Sequence, residues 1–105
     1  MSEHIQKRIQ YVVLITDLRN KDKFLSLLAD FGGRAIASMY GHSSVSGNSL
    51  TRAFGFDIEK SKILLSCLMT TEKAEKLINE LYNKHNFDQP NTGIAFTVPV
   101  EGIIV

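Results

Sequence analysis

Glycine and serine residues near the middle of the chain could bind a phosphate group. Gly41 and Gly47 enclose the serine-rich stretch HSSVS. Backbone amides of such a loop can surround an anion, and Lys60 and Lys62 could add positive charge. The glycine spacing is not that of a P-loop. An ordinary flexible loop beside two solvated lysines therefore remains an open alternative.

The residues that could perform catalysis are scattered. His4, His42 and His85 do not stand at metal-ligand spacing with each other or with Cys67. Cys67 alternates with Leu65 and is typical of a small core residue. We therefore predict a protein that is not an enzyme, with no catalytic residues, no metal site and no covalently bound cofactor.

Composition limits the classes of partner. The chain has 105 residues, 44% hydrophobic and 22% charged, with a net charge of +1. This balance predicts one globular domain, residues 1–105, whose residues 1–8 are frayed. The small net charge does not favour nucleic acid, and no apolar run is long enough for a membrane helix. One cysteine and no signal-like N-terminus predict a cytoplasmic protein.

Two kinds of apolar pattern alternate along the chain. Runs of β-branched and aromatic residues predict strands at residues 9–17, 34–41, 63–69 and 94–100. Apolar stripes at helical spacing predict two helices. The first stripe consists of Phe24, Leu27, Leu28 and Phe31. The second consists of Ala74, Leu77, Ile78, Leu81 and Tyr82. Asn20 and Thr71 are the expected N-caps, and Gly32 with Gly33 suits a helix C-terminus.

The order β-α-β-β-α-β predicts an α+β, ferredoxin-like fold. Such a fold has an antiparallel sheet with two helices on one face. The first and third strands should be central, because they are apolar on both faces. Pro99 agrees with an edge position for the fourth strand.

Two helices can cover only one face of this sheet, yet the other face is also expected to be apolar. Its predicted members are Val12, Leu14, Ala35, Ala37, Met39, Leu64 and Leu68. An exposed patch of this kind usually marks an interface. We therefore predict a homo-oligomer assembled on this face. The alternative is a monomer with an unusually apolar surface.

The connection formed by residues 42–60 is longer than a hairpin needs. Loops of this length without secondary structure are usually functional or disordered. Its second half, LTRAFGF, could form a short turn of helix or dock on a partner protein. The expected contact residues are Ser46, Gly47, Asn48, Arg52, Phe54 and Phe56.

The chain resembles the PII family of nitrogen-regulatory signalling proteins, particularly its divergent PII-like branches. The resemblance rests on SMYG at residues 38–41, the long loop after it, KSKI at residues 60–63 and TGIAFTVPVE at residues 92–101. It implies a homotrimer, a nucleotide or other small effector in the cleft between subunits, and a long loop (the T-loop) that docks on an unknown target protein.

The same resemblance implies the residues that would contact an adenine nucleotide. They are Gly41, His42, Ser43, Lys60, Lys62, Thr92 and Gly93. Two departures from the family pattern reduce the expected affinity for ATP. Ile94 stands where the phosphate loop has a lysine, and the family's basic C-terminal segment has no counterpart before Val105. A nucleotide with fewer phosphates, or another small anion, is the expected alternative.

Two rival functions share this architecture. One is a metal-binding or metal-tolerance trimer, which would need His or Cys residues to converge near His42. The other is a small ferredoxin-like enzyme with a histidine and a carboxylate in a pocket between sheet and helices. Fold alone does not exclude either function.

Overall fold

Four antiparallel strands form one sheet in the order β2-β3-β1-β4. The computed structural model describes residues 8–41, 62–89 and 92–101. The strands are β1 (Ile9–Asp17), β2 (Arg34–Gly41), β3 (Lys62–Thr70) and β4 (Gly93–Val100), and the helices are α1 (Lys21–Asp30) and α2 (Thr71–Lys84). The predicted element order and the central positions of β1 and β3 are confirmed. The loop of residues 42–60 lies outside the described residues, as do residues 1–7 of the segment 1–8 that was predicted to be frayed.

Both helices pack on the same face of the sheet, here called the helix face. Val12 of β1 pairs with Cys67 of β3, and Leu14 pairs with Leu65. All four of these side chains are fully buried in one core cluster, which also contains residues of both helices. Burial of each large apolar side chain stabilises the fold by roughly 1.5–3 kcal/mol. The predicted core position of Cys67 is confirmed.

The opposite face, here called the open face, corrects one prediction. Val12 and Leu14 were expected there, but their register with β3 turns them toward the helices. Tyr11, Val13 and Ile15 of β1 take that position instead. The middle of β1 is apolar on both faces, so alternation alone could not distinguish them.

The rest of the open face agrees more closely with the prediction. Leu64 pairs with both Ile15 and Met39, which places the expected Leu64 and Met39 on this face. Several large apolar side chains are exposed on it: Tyr11 at 39%, Met39 at 64%, Phe96 at 37% and Val98 at 45%. No described helix covers these residues.

The side-chain caps of both helices differ from the prediction. Asn20 occupies the N-cap position of α1, as predicted, but its side chain makes no capping hydrogen bond. Asp17 instead caps the 3-10 turn (Leu18–Asn20) that leads into α1. Thr70 caps α2 through the amide of Lys73. The hydroxyl of Thr71, the predicted cap, accepts a hydrogen bond from Gln10 at 3.0 Å instead.

The C-terminus of α1 and the outer surface of α2 follow the sequence pattern with one exception. Gly32 has a φ of +83°, the left-handed conformation that favours glycine after a helix. Along α2, ion pairs at i,i+4 spacing join Glu72 to Lys76 and Glu80 to Lys84. Tyr82 was expected in the buried stripe but is 58% exposed.

The start of β2 contains a strained residue. Ala35 has a φ of +53° and lies at a register shift between Arg34 and Ala37. Left-handed backbone costs a residue with a Cβ roughly 1–2 kcal/mol, and glycine avoids that cost. This bulge bends the edge strand before it continues toward Gly41.

We expect Ala35→Gly to stabilise the protein, because glycine adopts this φ without a steric penalty. The gain should be several tenths of a kcal/mol up to about 1 kcal/mol, since glycine's greater freedom in the unfolded chain offsets part of it. Urea unfolding at fixed protein concentration measures the change. Ala37→Gly is the matched control on the same exposed strand, and it should destabilise the protein. Equal destabilisation by both substitutions would contradict the strained conformation.

Candidate functional site

Several residues predicted to bind the effector lie at the same end of the sheet. Gly41 pairs with Lys62, and Lys62 pairs with Asp17 on its other side. Gly93 pairs with Thr16, and Thr92 immediately precedes Gly93. We call this end of the sheet the loop end, because the strands on either side of the connection of residues 42–60 terminate here.

The other predicted contacts cannot be placed. His42, Ser43 and Lys60 lie outside the described residues, as do the predicted partner-contact residues Ser46, Gly47, Asn48, Arg52, Phe54 and Phe56. The candidate site is therefore built from the strand ends alone.

The loop end is too wide for one small anion to contact both of its edges. Gly41 and Lys62 are neighbours, whereas Gly93 lies on β4, with β3 and β1 in between. Three strand spacings separate the two edges by roughly 14 Å. A small ligand bound to a single chain would therefore contact either the β2–β3 side or the β4 side.

Asp17 and Arg19 form a fixed charged pair at the loop end. Asp17 Oδ1 accepts hydrogen bonds from the backbone amide of Arg19 at 2.9 Å and from Arg19 Nε at 3.0 Å. Arg19 Nη2 donates to the other carboxylate oxygen at 3.2 Å. These hydrogen bonds from Arg19, with a smaller contribution from the positive charge of Lys62, lower the pKa of Asp17 to about 2.

Two further cations, Lys62 and Lys21, lie at the same end of the sheet. Lys62 is only 8% exposed although it lies at the end of a strand. On the helix face of the same end, Lys21 Nζ donates a hydrogen bond to Tyr40 Oη at 2.7 Å and lies 5.2 Å from the centre of the Tyr40 ring. The hydrogen bond to Tyr40 raises the pKa of Lys21. Three cationic side chains, Arg19, Lys21 and Lys62, thus accompany the two carboxylates of Asp17 and Asp22, an arrangement that suits a small anion.

Sequence reasoning missed Asp17, Arg19, Lys21 and Tyr40 as parts of this site. The Asp-x-Arg spacing of Asp17 and Arg19 could have indicated a capped turn. The contact between Lys21 and Tyr40 joins residues from different elements. No local signal in the sequence predicts it.

Gly93 has a packing role that explains its lack of a side chain. A Cβ placed there would lie 2.6 Å from Cζ of Phe87 and 3.0 Å from the backbone oxygen of Ile15. The Phe87 ring also packs edge-on against Phe24 of α1 at 5.7 Å, and Phe24 packs edge-on against His85 at 5.4 Å. This aromatic cluster holds the chain between α2 and β4 against the rest of the fold. His85 therefore has a packing role in this cluster.

An apolar cleft lies next to Gly93, between α2 and β4. It encloses about 330 Å³. Its lining residues are Ile78, Leu81, Tyr82, Phe87, Gly93, Ile94 and Ala95. One of these lining residues is Ile94. The PII resemblance aligns this position with a phosphate-binding lysine of the family.

The described part of the chain lacks two further features, a metal-binding cluster and a membrane-spanning helix. Residues 8–41, 62–89 and 92–101 contain no group of three or more His, Cys, Asp or Glu side chains placed to hold a metal ion. Among these same residues, no helix has the length and apolar character needed to cross a membrane.

Comparison with known proteins identifies the fold. No protein-family model and no curated protein matches the sequence. A structure from Thermus thermophilus, described as a PII-like signalling protein, superimposes with a TM-score of 0.65 at 16% identity, over 90% of this chain and 88% of that one. CPII from Thiomonas intermedia, a structure bound to ADP, AMP and acetate, gives 0.64 at 14% identity, over 91% of each chain.

The same fold also occurs inside a larger protein. A Bacillus cereus protein related to NIF3 gives a TM-score of 0.64 at 12% identity, and the match covers 91% of this chain but 26% of that one. The chain therefore has the PII-like, ferredoxin-type fold expected from its sequence. At these identities the likeness establishes the fold, and function must be argued from the site.

The pKa of Asp17 gives a prediction for acid pH. Because the folded-state pKa is depressed, its stabilising contribution is complete above the ordinary pKa of about 3.9. It should be lost as the pH falls from there toward about 2. Arg19→Gln should raise the pKa of Asp17 only part of the way to its ordinary value, because the side-chain hydrogen bonds are lost while the backbone amide of residue 19 still donates to the carboxylate. Carboxyl ¹³C NMR titration measures the change. A pKa near 4 in both proteins would show that Arg19 does not hold the carboxylate.

Proposed function

We propose that this protein is a non-enzymatic, PII-like signalling protein that senses a small anionic effector, an adenine nucleotide, at the loop end. The observation that carries the proposal is that Gly41, Lys62 and Gly93 lie at one end of the sheet, where Arg19, Lys21 and Lys62 outnumber the carboxylates of Asp17 and Asp22. Backbone at the glycines can approach a phosphate closely, and the cations can offset its charge.

The effector site is shared between subunits of a homotrimer. Within one chain, roughly 14 Å separates the ends of β2 and β4, which is too far for one small ligand to contact both. This distance supports a shared site, because the β4 end of a neighbouring chain could lie closer to the β2–β3 end. The exposed apolar side chains of the open face support self-association, and Met39 and Val98 are among the most exposed. Burial of this face would hold the loop ends of neighbouring subunits in a fixed relation.

Binding of the effector acts on the connection of residues 42–60. Gly41 is the last described residue before this segment, and Lys62 is the first described residue after it. A ligand held between these two positions would favour one arrangement of the segment, which would then dock on a target protein. The signalling output is this docking rather than a chemical reaction.

The local chemistry favours a nucleotide with few phosphates. Ile94 is apolar and lines an uncharged cleft, so it offers no charge to a second or third phosphate. The carboxylate of Asp17 stays ionised and repels additional negative charge. The CPII structure, bound to ADP, AMP and acetate, shows that one protein with this fold takes such nucleotides.

Calorimetry with AMP, ADP, ATP and cyclic AMP tests the effector. We expect saturable binding of AMP or ADP, with ATP no tighter than either. Lys62→Met should weaken binding by about tenfold or more, because it removes a charge-assisted contact while keeping most of the side-chain volume. Lys76→Met is the matched control, since Lys76 pairs with Glu72 on the outer surface of α2. Absence of binding for all four nucleotides would contradict the proposal.

Light scattering tests the assembly. We expect a particle of three chains, each of 11.7 kDa. Met39→Glu should dissociate it, because the substitution places a charge in the buried interface. Tyr82→Glu, at a similarly exposed site on α2, should leave the trimer intact. A monomeric wild-type protein, or a trimer unaffected by Met39→Glu, would refute assembly through the open face.

A further inference from the structure

A second cleft lies at the opposite end of the sheet from the loop end. It encloses about 310 Å³ between the first half of α2, the start of β1 and the end of β4. Ala74 and Ile78 supply its apolar surface. Its polar lining consists of Gln10, Thr71, Glu75, Asn79 and Thr97. We call it the Glu75 cleft. Its volume lies at the lower end of the range for small-molecule sites.

The charge of this cleft comes from one carboxylate that has no ion pair. The two neighbouring glutamates of α2 are paired, Glu72 with Lys76 at 3.7 Å and Glu80 with Lys84 at 3.5 Å. Position i+4 from Glu75 is Asn79 rather than a lysine. Glu75 accordingly makes no ion pair with any residue in the described part of the chain.

The cleft is unsuited to an anion, although it adjoins the N-terminus of α2. The backbone amide of Thr71 donates to the carbonyl of Arg8 at 3.0 Å. The amide of Lys73 donates to the hydroxyl of Thr70 at 3.4 Å. These bonds use donors that a phosphate would otherwise accept from, and the lining residues include no cation.

The remaining polar groups suit a hydrogen-bond donor. Gln10 donates through Nε2 to the hydroxyl of Thr71 at 3.0 Å, which orients its amide oxygen as an acceptor. Asn79 and Thr97 add further oxygen atoms. An ammonium group has three donors and no acceptor, so it matches a carboxylate surrounded by amide and hydroxyl oxygens.

We propose that the Glu75 cleft binds a small aliphatic amine in its ammonium form. The ammonium group pairs with Glu75 and donates to the neighbouring amide and hydroxyl oxygens. The methylene groups of the amine lie against Ala74 and Ile78. This site is separate from the loop end, so it would give the protein a cationic effector in addition to an anionic one.

Amide NMR of the full-length ¹⁵N-labelled protein, titrated with putrescine, tests the proposal. We expect saturable shifts at Thr71, Glu75, Asn79 and Thr97. Butanediol is the matched uncharged probe, with the same carbon chain, and should give no saturable shifts. Glu75→Gln should weaken putrescine binding by about tenfold or more. This isosteric change on a helix surface should not impair folding, and unfolding midpoints check that.

Glu72→Gln is the control for a general loss of negative charge, because it removes a neighbouring carboxylate that does not line the cleft. It should change the dissociation constant for putrescine by less than about twofold. Three results would overturn the proposal: no saturable binding up to about 10 mM putrescine, equal weakening by the two substitutions, or unchanged affinity in Glu75→Gln. None of these results bears on nucleotide binding at the loop end.

Discussion

The pairing of β1 with β3 is the constraint on which the rest of the structure depends. It places Val12 opposite Cys67 and Leu14 opposite Leu65, so that these side chains form the floor beneath both helices. A shift of one residue would exchange the two faces of β1 and bring Tyr11 into the core. The same register brings Asp17 beside Lys62, which in turn pairs with Gly41. The hydrogen bonds between β1 and β3 therefore determine both the packing of the core and the position of Asp17 and Lys62 in the candidate site.

The alternation of small and large residues along β4 accounts for both clefts. On the helix face its residues are small: Gly93 opposite Thr16, Ala95 opposite Leu14 and Thr97 opposite Val12. Large residues alternate with them and include Phe96 and Val98 on the open face. The small residues leave space between β4 and α2, where both clefts form. The large residues enlarge the apolar surface available for self-association.

Much of the fold followed from the sequence because its elements carry strong periodic patterns. The strand order, the helix stripes and the glycine after α1 each rest on local spacing or composition. The faces of β1 could not be assigned in this way, because Val12 and Val13 are equally apolar. Their positions depend on which residues of β3 lie opposite them. Tyr82 likewise fits the helical period but lies at the edge of the stripe, where no neighbour buries it.

Less of the candidate site could be predicted. Gly41, Lys62, Thr92 and Gly93 were identified by resemblance, and the register explains why they share one end of the sheet. The pair of Asp17 and Arg19 and the contact of Lys21 with Tyr40 depend on side-chain geometry across elements. Such contacts leave no repeating pattern in a single sequence. The Glu75 cleft was missed for the same reason, although a glutamate without a lysine four residues later was visible in the helix.

The central claim is that an adenine nucleotide binds at the loop end. Amide NMR of the labelled protein during separate titrations with AMP and with ADP tests this location most directly. If a nucleotide binds there, we expect saturable shifts concentrated at Gly41, Lys62, Thr92 and Gly93, with little change at Ile9, Thr70 and Val100 at the opposite end of the sheet. Shifts concentrated at that opposite end, or no saturable shifts at all, would contradict nucleotide binding at the loop end.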